Sequence, residues 1–216
     1  MGVIEIGKRE KRTAFNRRNI TDAAKRLFAE RGVRGTTMDE IAKESDSSKS
    51  TVYVYFQSKE EIYNHIVCEH MTILRGGLAT AIRTAQDFEA RYYAICKALV
   101  SFQEAYPLYF ESILGEIGVG DEAYKREPIL RTIHDVGEEI NALVVEFLRE
   151  GIREGILRAD IDPLPTVFVL WAGLSGLIVL AYKKAAYLKL DLGMDRLDFL
   201  RYGFDTILHS IRAQAG

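Results

Sequence analysis

TTMDEIAKESDSSKSTVYVYF, residues 36–56, decides how this chain is read. Thr37-Met38-Asp39-Glu40 has the form of a capping box, in which the Thr hydroxyl accepts from a free backbone N–H at a helix start and Glu40 reaches back to the cap. The spacing predicts a short helix to about Glu44. Ser45 to Ser48 is a cluster of short polar side chains that bond locally to the backbone, which makes it a turn and a second cap. Lys49 to Tyr55 then forms another short helix. Ser48, Lys49, Ser50, Thr51, Tyr53 and Tyr55 make this helix too polar for a core and too aromatic for a plain solvated face. They are hydrogen-bond donors suited to phosphates and base edges.

Upstream, Ile20, Ala23, Ala24, Leu27 and Phe28 recur at helical spacing and Gly32 follows as a stop, so a helix is expected from about Thr13 to Arg31. Its other face carries Arg17, Arg18, Lys25 and Arg26. Residues 8–34 hold 10 basic against 3 acidic residues, although the 216-residue chain has a net charge of only -2. Such a local skew suits a surface that meets a phosphate backbone. Downstream, Ser58-Lys59-Glu60-Glu61 repeats the capping logic and opens a longer helix through Ile62, Ile66, Val67, Met71 and Leu74, with Gly76 and Gly77 beyond. Two short helices joined by a four-residue polar turn, behind a basic amphipathic helix, have the proportions of a helix-turn-helix whose second helix enters the major groove.

The rest also reads as helix: about Asp87 to Tyr106, Pro107 to Ile117, Pro128 to Glu154 (with Gly151 and Gly155 loosening its end), Pro163 to Leu190, and Asp195 to Arg212. The expected fold class is therefore all-α with about nine helices, divided into a DNA-binding domain over residues 10–72 and a helical effector-binding and dimerisation domain over residues 73–216. With 48% hydrophobic and 28% charged residues, a folded globular chain is indicated. Pro163 to Tyr182 is 20 residues without a charge, a length that would span a membrane. Trp171 lies in the middle of that run, however, and Ala172, Gly173, Ser175 and Gly176 form a small-residue patch suited to close helix contact. We therefore read it as a core and interface helix, and expect no membrane.

Cys68 and Cys96 are the only cysteines and lack metal-knuckle spacing; with no secretory leader pattern, a cytoplasmic location is expected. His65, Cys68 and His70 are poorly spaced for a metal, since only His65 and Cys68 share a helix face. His134 and His209 stand without a nucleophile or carboxylate constellation. No catalytic residue, metal or cofactor is expected, and an α-helical enzyme is disfavoured for that reason.

Ala23 to Gly32 (AAKRLFAERG) together with Thr36 to Ile62 resembles the DNA-binding domain of the tetracycline-repressor (TetR) family of bacterial regulators. The shared elements are Phe28 to Gly32, Thr36-Thr37, Ile41-Ala42, Ser48 to Thr51, Tyr53 to Phe56 and Ser58 to Glu60. Departures are Asp46-Ser47 where the family commonly has Gly-Val, Ser50 where Gly is frequent, and Val54 where His is frequent; no base contact is expected from Val54. Asp tolerates the left-handed conformation that the turn needs.

The resemblance implies a regulator, most simply a repressor, released from a near-palindromic double-stranded operator by a largely apolar small-molecule effector. It implies a homodimer through the last two helices, and DNA contact by Thr36, Thr37, Ser47, Ser48, Lys49, Ser50, Thr51, Tyr53, Tyr55 and Lys59. Lys49 and Ser50, near the start of the recognition helix, are the candidates for sequence preference. Phe102, Phe168 and Trp171 are candidates to line an effector pocket. The alternative is a ligand-binding helical protein whose DNA-binding arm is degenerate.

Overall fold

The computed structural model describes residues 2–84, 87–112 and 120–214. Among the described residues there are eleven helices: α1 Gly2–Arg31, α2 Met38–Glu44, α3 Lys49–Tyr55, α4 Lys59–Thr84, α5 Phe88–Ala105, α6 Pro107–Ser112, α7 Asp121–Arg126, α8 Ile129–Arg153, α9 Pro163–Lys183, α10 Ala185–Asp191 and α11 Arg196–Ile211. The β-structure among them is one isolated bridge, Leu157 with Arg212. The all-α expectation is met.

The chain divides into two compact units, Met1–Glu69 with Gly118–Ile133, and His70–Ile117 with His134–Gly216. In the first unit, Ile20, Ala23, Ala24, Leu27 and Phe28 of α1 are buried, as are Ile41 and Ala42 of α2, Val52 of α3, Phe56, and Ile62 and Ile66 of α4. The two alanines of α1 matter because a side chain without bulk lets short helices pack closely. Gly32, at φ 72, ends α1 as its sequence position predicts, its N–H bonding the Phe28 carbonyl at 2.9 Å.

In the second unit, Phe88 of α5 stacks on Phe147 of α8 with ring centroids 4.3 Å apart, and the Tyr92 hydroxyl donates to the Phe204 carbonyl of α11 at 2.9 Å. Gly203 brings α11 close to α9: a Cβ there would lie 2.4 Å from Leu177 Cδ2.

Several boundaries differ from expectation. Helix α1 begins well before Thr13, and α4 continues through Gly76 and Gly77 to Thr84; two glycines in a packed helix cost about 1 kcal/mol each, which the burial of Leu74, Leu78 and Ala81 offsets. Residues 163–190 form two helices, not one. The N–H of Lys184 bonds Leu180 and the next ladder starts from the Lys184 carbonyl to Leu188, which the break turns inward. Helix α7 is not among the helices expected, and the part of the expected Pro107 to Ile117 helix beyond Ser112 lies outside the described residues.

Gly151 does not loosen α8. The end of that helix is an ordered left-handed cap at Gly155 (φ 69), with Ile156 N–H bonding the Gly151 carbonyl and Gly155 N–H the Ile152 carbonyl. Gly151 is required for space, since a Cβ there would lie 2.5 Å from the Phe88 ring and 2.9 Å from Leu157 Cγ. The Gly151→Ala variant is therefore expected to lose about 1–3 kcal/mol through overpacking, despite the helix propensity of Ala. Thermal unfolding followed by circular dichroism would show a lower Tm, and an unchanged or raised Tm would contradict the packing described.

Candidate nucleic-acid interface

Both short helices start on the caps predicted for them. Thr37 Oγ1 accepts from Glu40 N at 3.3 Å, while Thr37 N donates to Glu40 Oε2 at 2.8 Å, closing the capping box of α2. The Thr37 hydroxyl also donates to Glu40 Oε2 at 2.8 Å, and this bond, followed by the one from Thr37 N–H, holds the Glu40 carboxyl below its ordinary pKa, with a smaller contribution from Arg31. Ser48 Oγ accepts from Thr51 N at 3.1 Å at the start of α3, and lies 2.9 Å from Ser50 Oγ and 2.7 Å from Thr51 Oγ1.

Between them the chain turns on Asp46, at φ 49 the one described non-glycine residue with positive φ. Asp46 N–H bonds the Lys43 carbonyl at 3.2 Å and Ser47 N–H bonds the Ala42 carbonyl at 2.9 Å. This pair of bonds is a Schellman motif, which usually has Gly at the left-handed position. An L-residue there costs about 1–2 kcal/mol of backbone strain, less for Asp, whose side chain bonds locally.

Helix α3 sits on the core through Val52, with Phe56 beneath its C-terminal end, and turns Lys49, Ser50, Tyr53 and Val54 outward. Thr37 and Ser48 are exposed beside them, whereas Ser47, Thr51, Tyr55 and Lys59 are half-buried. Lys49 Nζ meets Asp39 Oδ1 at 2.7 Å, and the hydrogen bond to Asp39 raises the Lys49 pKa. Tyr55 OH accepts from Asn16 Nδ2 at 2.9 Å and keeps its own proton for an outside acceptor. Lys59 Nζ donates to the carbonyls of Arg34 (3.2 Å) and Thr36 (2.8 Å), so two of its three N–H groups are engaged. A surface hollow of about 410 Å³ lies among Thr37, Tyr53, Gln57 and Lys59.

One residue of the expected set differs from the rest in being buried. Thr36 is fully buried, with its hydroxyl donating to the Gly32 carbonyl at 2.9 Å, so its side chain shapes the turn before α2.

Arg17 is the residue that the recognition-helix pattern missed. Its guanidinium lies 4.5 Å from the Phe56 ring centroid, Nη1 donates to the Tyr55 carbonyl at 3.3 Å, and Nη2 is 3.0 Å from His65 Nε2. It fastens the end of α3 to α1 and α4. The basic stretch on α1 is also less free than its composition suggests, since Lys25 pairs with Glu69, Arg26 with Glu44 and Arg31 with Glu40.

The expected effector residues do not converge. Phe102 is buried with Tyr106 and Phe110, Phe168 is 57% exposed on the outside of α9, and Trp171 borders a void of only about 20 Å³ while its Nε1 donates to Asn141 Oδ1. A larger cleft, about 570 Å³, opens elsewhere in the second unit over Gly76, Ala79, Ile82, Ala142, Leu143 and Phe147, with Arg75, Glu139, Glu146 and Glu150 around it. That volume falls in the range of small-molecule sites. Sequence periodicity marks these as helix-packing positions and does not reveal that they leave a gap.

Residues 20–66 match the family model of the tetR family of bacterial regulatory proteins. That segment of the chain is of the tetR family. It is 24% identical over 151 residues to the HTH-type transcriptional regulator YhgD of Bacillus subtilis, an alignment covering 70% of this chain and 76% of that one. It is 26% identical over 150 residues to the repressor KstR2 of Rhodococcus jostii, covering 68% and 70%. Its fold is that of the regulator FadR from Bacillus subtilis, solved with stearoyl-CoA, at a TM-score of 0.66 and 16% identity, covering 89% of this chain and 98% of that one. The chain is a DNA-binding transcriptional regulator, and α3 presents the exposed face of its helix-turn-helix.

Two outcomes test this geometry. Replacing Asp46 with Gly should relieve the left-handed strain and raise stability by about 0.5–1 kcal/mol, read as a higher urea midpoint at unchanged slope. His65 is held neutral: burial and then the Arg17 charge lower its pKa below the ordinary histidine value. Between the folded and unfolded pKa values the unfolded state binds the extra proton, so stability is complete above about pH 6.5 and declines as pH falls below it. Urea midpoints at pH 7.5 and 5.5 should differ less in His65→Gln than in the native chain, and equal differences would exclude this role.

Proposed function

We propose that this tetR-family regulator is a cytoplasmic, homodimeric repressor that reads a near-palindromic operator and is released by a largely apolar small molecule. The observation that carries the DNA-reading part is the outward face of α3: Lys49, Ser50 and Tyr53 stand exposed on a helix whose opposite side, Val52, is fully buried. On this reading Thr37, Ser48, Tyr53, Tyr55 and Lys59 hold the phosphate backbone, with Ser47 and Thr51 supporting the turn and the helix start. Lys49 and Ser50 meet base edges. Lys49 must leave Asp39 to do so, and an exposed pair of this kind is cheap to break.

Dimerisation is supported by α9. Leu164, Phe168, Val169, Ala172, Gly176 and Leu180 are all exposed along one side of it without a charge among them. Only 33% of its most apolar stretch is buried, although the helix is long and apolar enough to cross a membrane. An apolar stripe of this length marks an interaction surface, and a two-fold partner sets two recognition helices about 34–36 Å apart, one turn of DNA. For the effector, the cleft over Ala79, Ile82, Leu143 and Phe147 offers an apolar floor. The fold it shares with a stearoyl-CoA-bound regulator supports a ligand with an extended apolar part. Binding there favours a state whose two α3 helices no longer match the half-sites, and DNA affinity falls by the ligand's preference for that state.

Selection of bound duplexes from a random pool is the decisive experiment. It should return two inverted half-sites about 10 base pairs apart, with affinity falling steeply as salt rises. The Phe168→Glu variant should lose both the dimer, by light scattering, and the operator. A monomeric native protein indifferent to duplexes at low ionic strength would overturn the reading.

A further inference from the structure

Val54 is 75% exposed, against 40% for its neighbour Tyr53, and lies one turn beyond Ser50 on the same outward face. Nothing in the fold requires an apolar residue there, because Val52 makes the inward contact and Phe56 covers the core beneath the helix end. Helix α3 has seven residues, about 10 Å of rise, and is short enough to fit across a major groove about 12 Å wide with Ser50 and Val54 both on its exposed side. The groove floor presents hydrogen-bonding groups at every base pair and a single apolar one, the 5-methyl group of thymine.

On the DNA-reading function argued above, we propose that Val54 is a specificity-determining residue that recognises one thymine methyl group in each half-site. This departs from the sequence expectation of no base contact at this position: valine has no hydrogen-bonding group, but it can make an apolar contact. Its two γ-methyls are held stiffly because branching at Cβ leaves essentially one χ1 rotamer in a helix, so they are offered at a fixed place. Against a thymine they bury methyl on methyl. Against the cytosine amine, or a purine N7 or O6, they displace water from a polar edge and return no hydrogen bond, which is unfavourable. The preference therefore has an attractive and a repulsive part at the same position.

The test uses the full-length protein and the operator selected from the random pool, with each thymine replaced in turn by deoxyuridine, which removes the 5-methyl and leaves pairing intact. In fluorescence anisotropy, one symmetry-related pair of positions should weaken native binding about fourfold per half-site, the worth of one buried methyl. The Val54→Ala protein should be insensitive to that replacement and still bind, while retaining its response to substitutions opposite Ser50. Insensitivity of the native protein at every thymine, an operator with no thymine common to both half-sites, or the same uracil sensitivity in Val54→Ala would overturn the proposal while leaving DNA binding in place. Failure of the native protein to bind any duplex would overturn the DNA-reading function, and the proposal with it.

Discussion

The left-handed turn at Asp46 is the constraint on which the interface depends. Its two backbone bonds, from Asp46 to Lys43 and from Ser47 to Ala42, close α2 and aim the chain so that the Ser48 cap can start α3 in a new direction. If that residue relaxed to an ordinary helical conformation, α2 would run on and the outward face of α3 would not exist as a separate surface. The strain of holding an L-residue there is met by burial of Ile41, Ala42 and Val52 on either side of the turn. Arg17 works at the other end of α3, where one guanidinium fixes the Tyr55 carbonyl, the Phe56 ring and His65 together. The recognition helix is thus pinned at both ends and free along its middle, which is the arrangement that a rigid reading head requires.

Much of this was legible because it is local. The capping box at Thr37, the Ser48 cap, the glycine stop at Gly32 and the tolerance of Asp46 for positive φ all depend on residues within a few positions of each other. What could not be read depends on partners far along the chain. Thr36 and Thr37 are neighbours of identical type, yet one is buried beneath the Gly32 carbonyl and the other caps a helix in solvent. Arg17 looks like one more cation on a basic face until His65, 48 positions away, is seen beside it. The interruption at Lys184 carries no Gly or Pro, and its reason is the inward turn of Leu188. In the second unit an aromatic residue's type reveals nothing about which side of its helix finds the core, hence the exposure of Phe168 and the tight seating of Trp171.

Charge shows the same contrast between composition and arrangement. The ten basic residues of positions 8–34 suggest a broad positive face, but Lys25, Arg26 and Arg31 are matched by Glu69, Glu44 and Glu40. Three of those ten charges are thus met by acidic partners elsewhere in the unit, although exposed pairs of this kind each contribute little to stability. On the proposed DNA-reading function, sequence preference is then left to a few groups on α3, with Lys49 itself restrained by Asp39.

The uncharged stripe on α9 has a consequence for how the molecule behaves in dilute solution. On the dimeric reading, covering that stripe is part of completing each subunit, so the folded state is governed by mass action. Dilution then acts as a denaturant, and the protein's resistance to heat rises with its own abundance. A cell that makes little of such a regulator holds it nearer the threshold of unfolding than one that makes much.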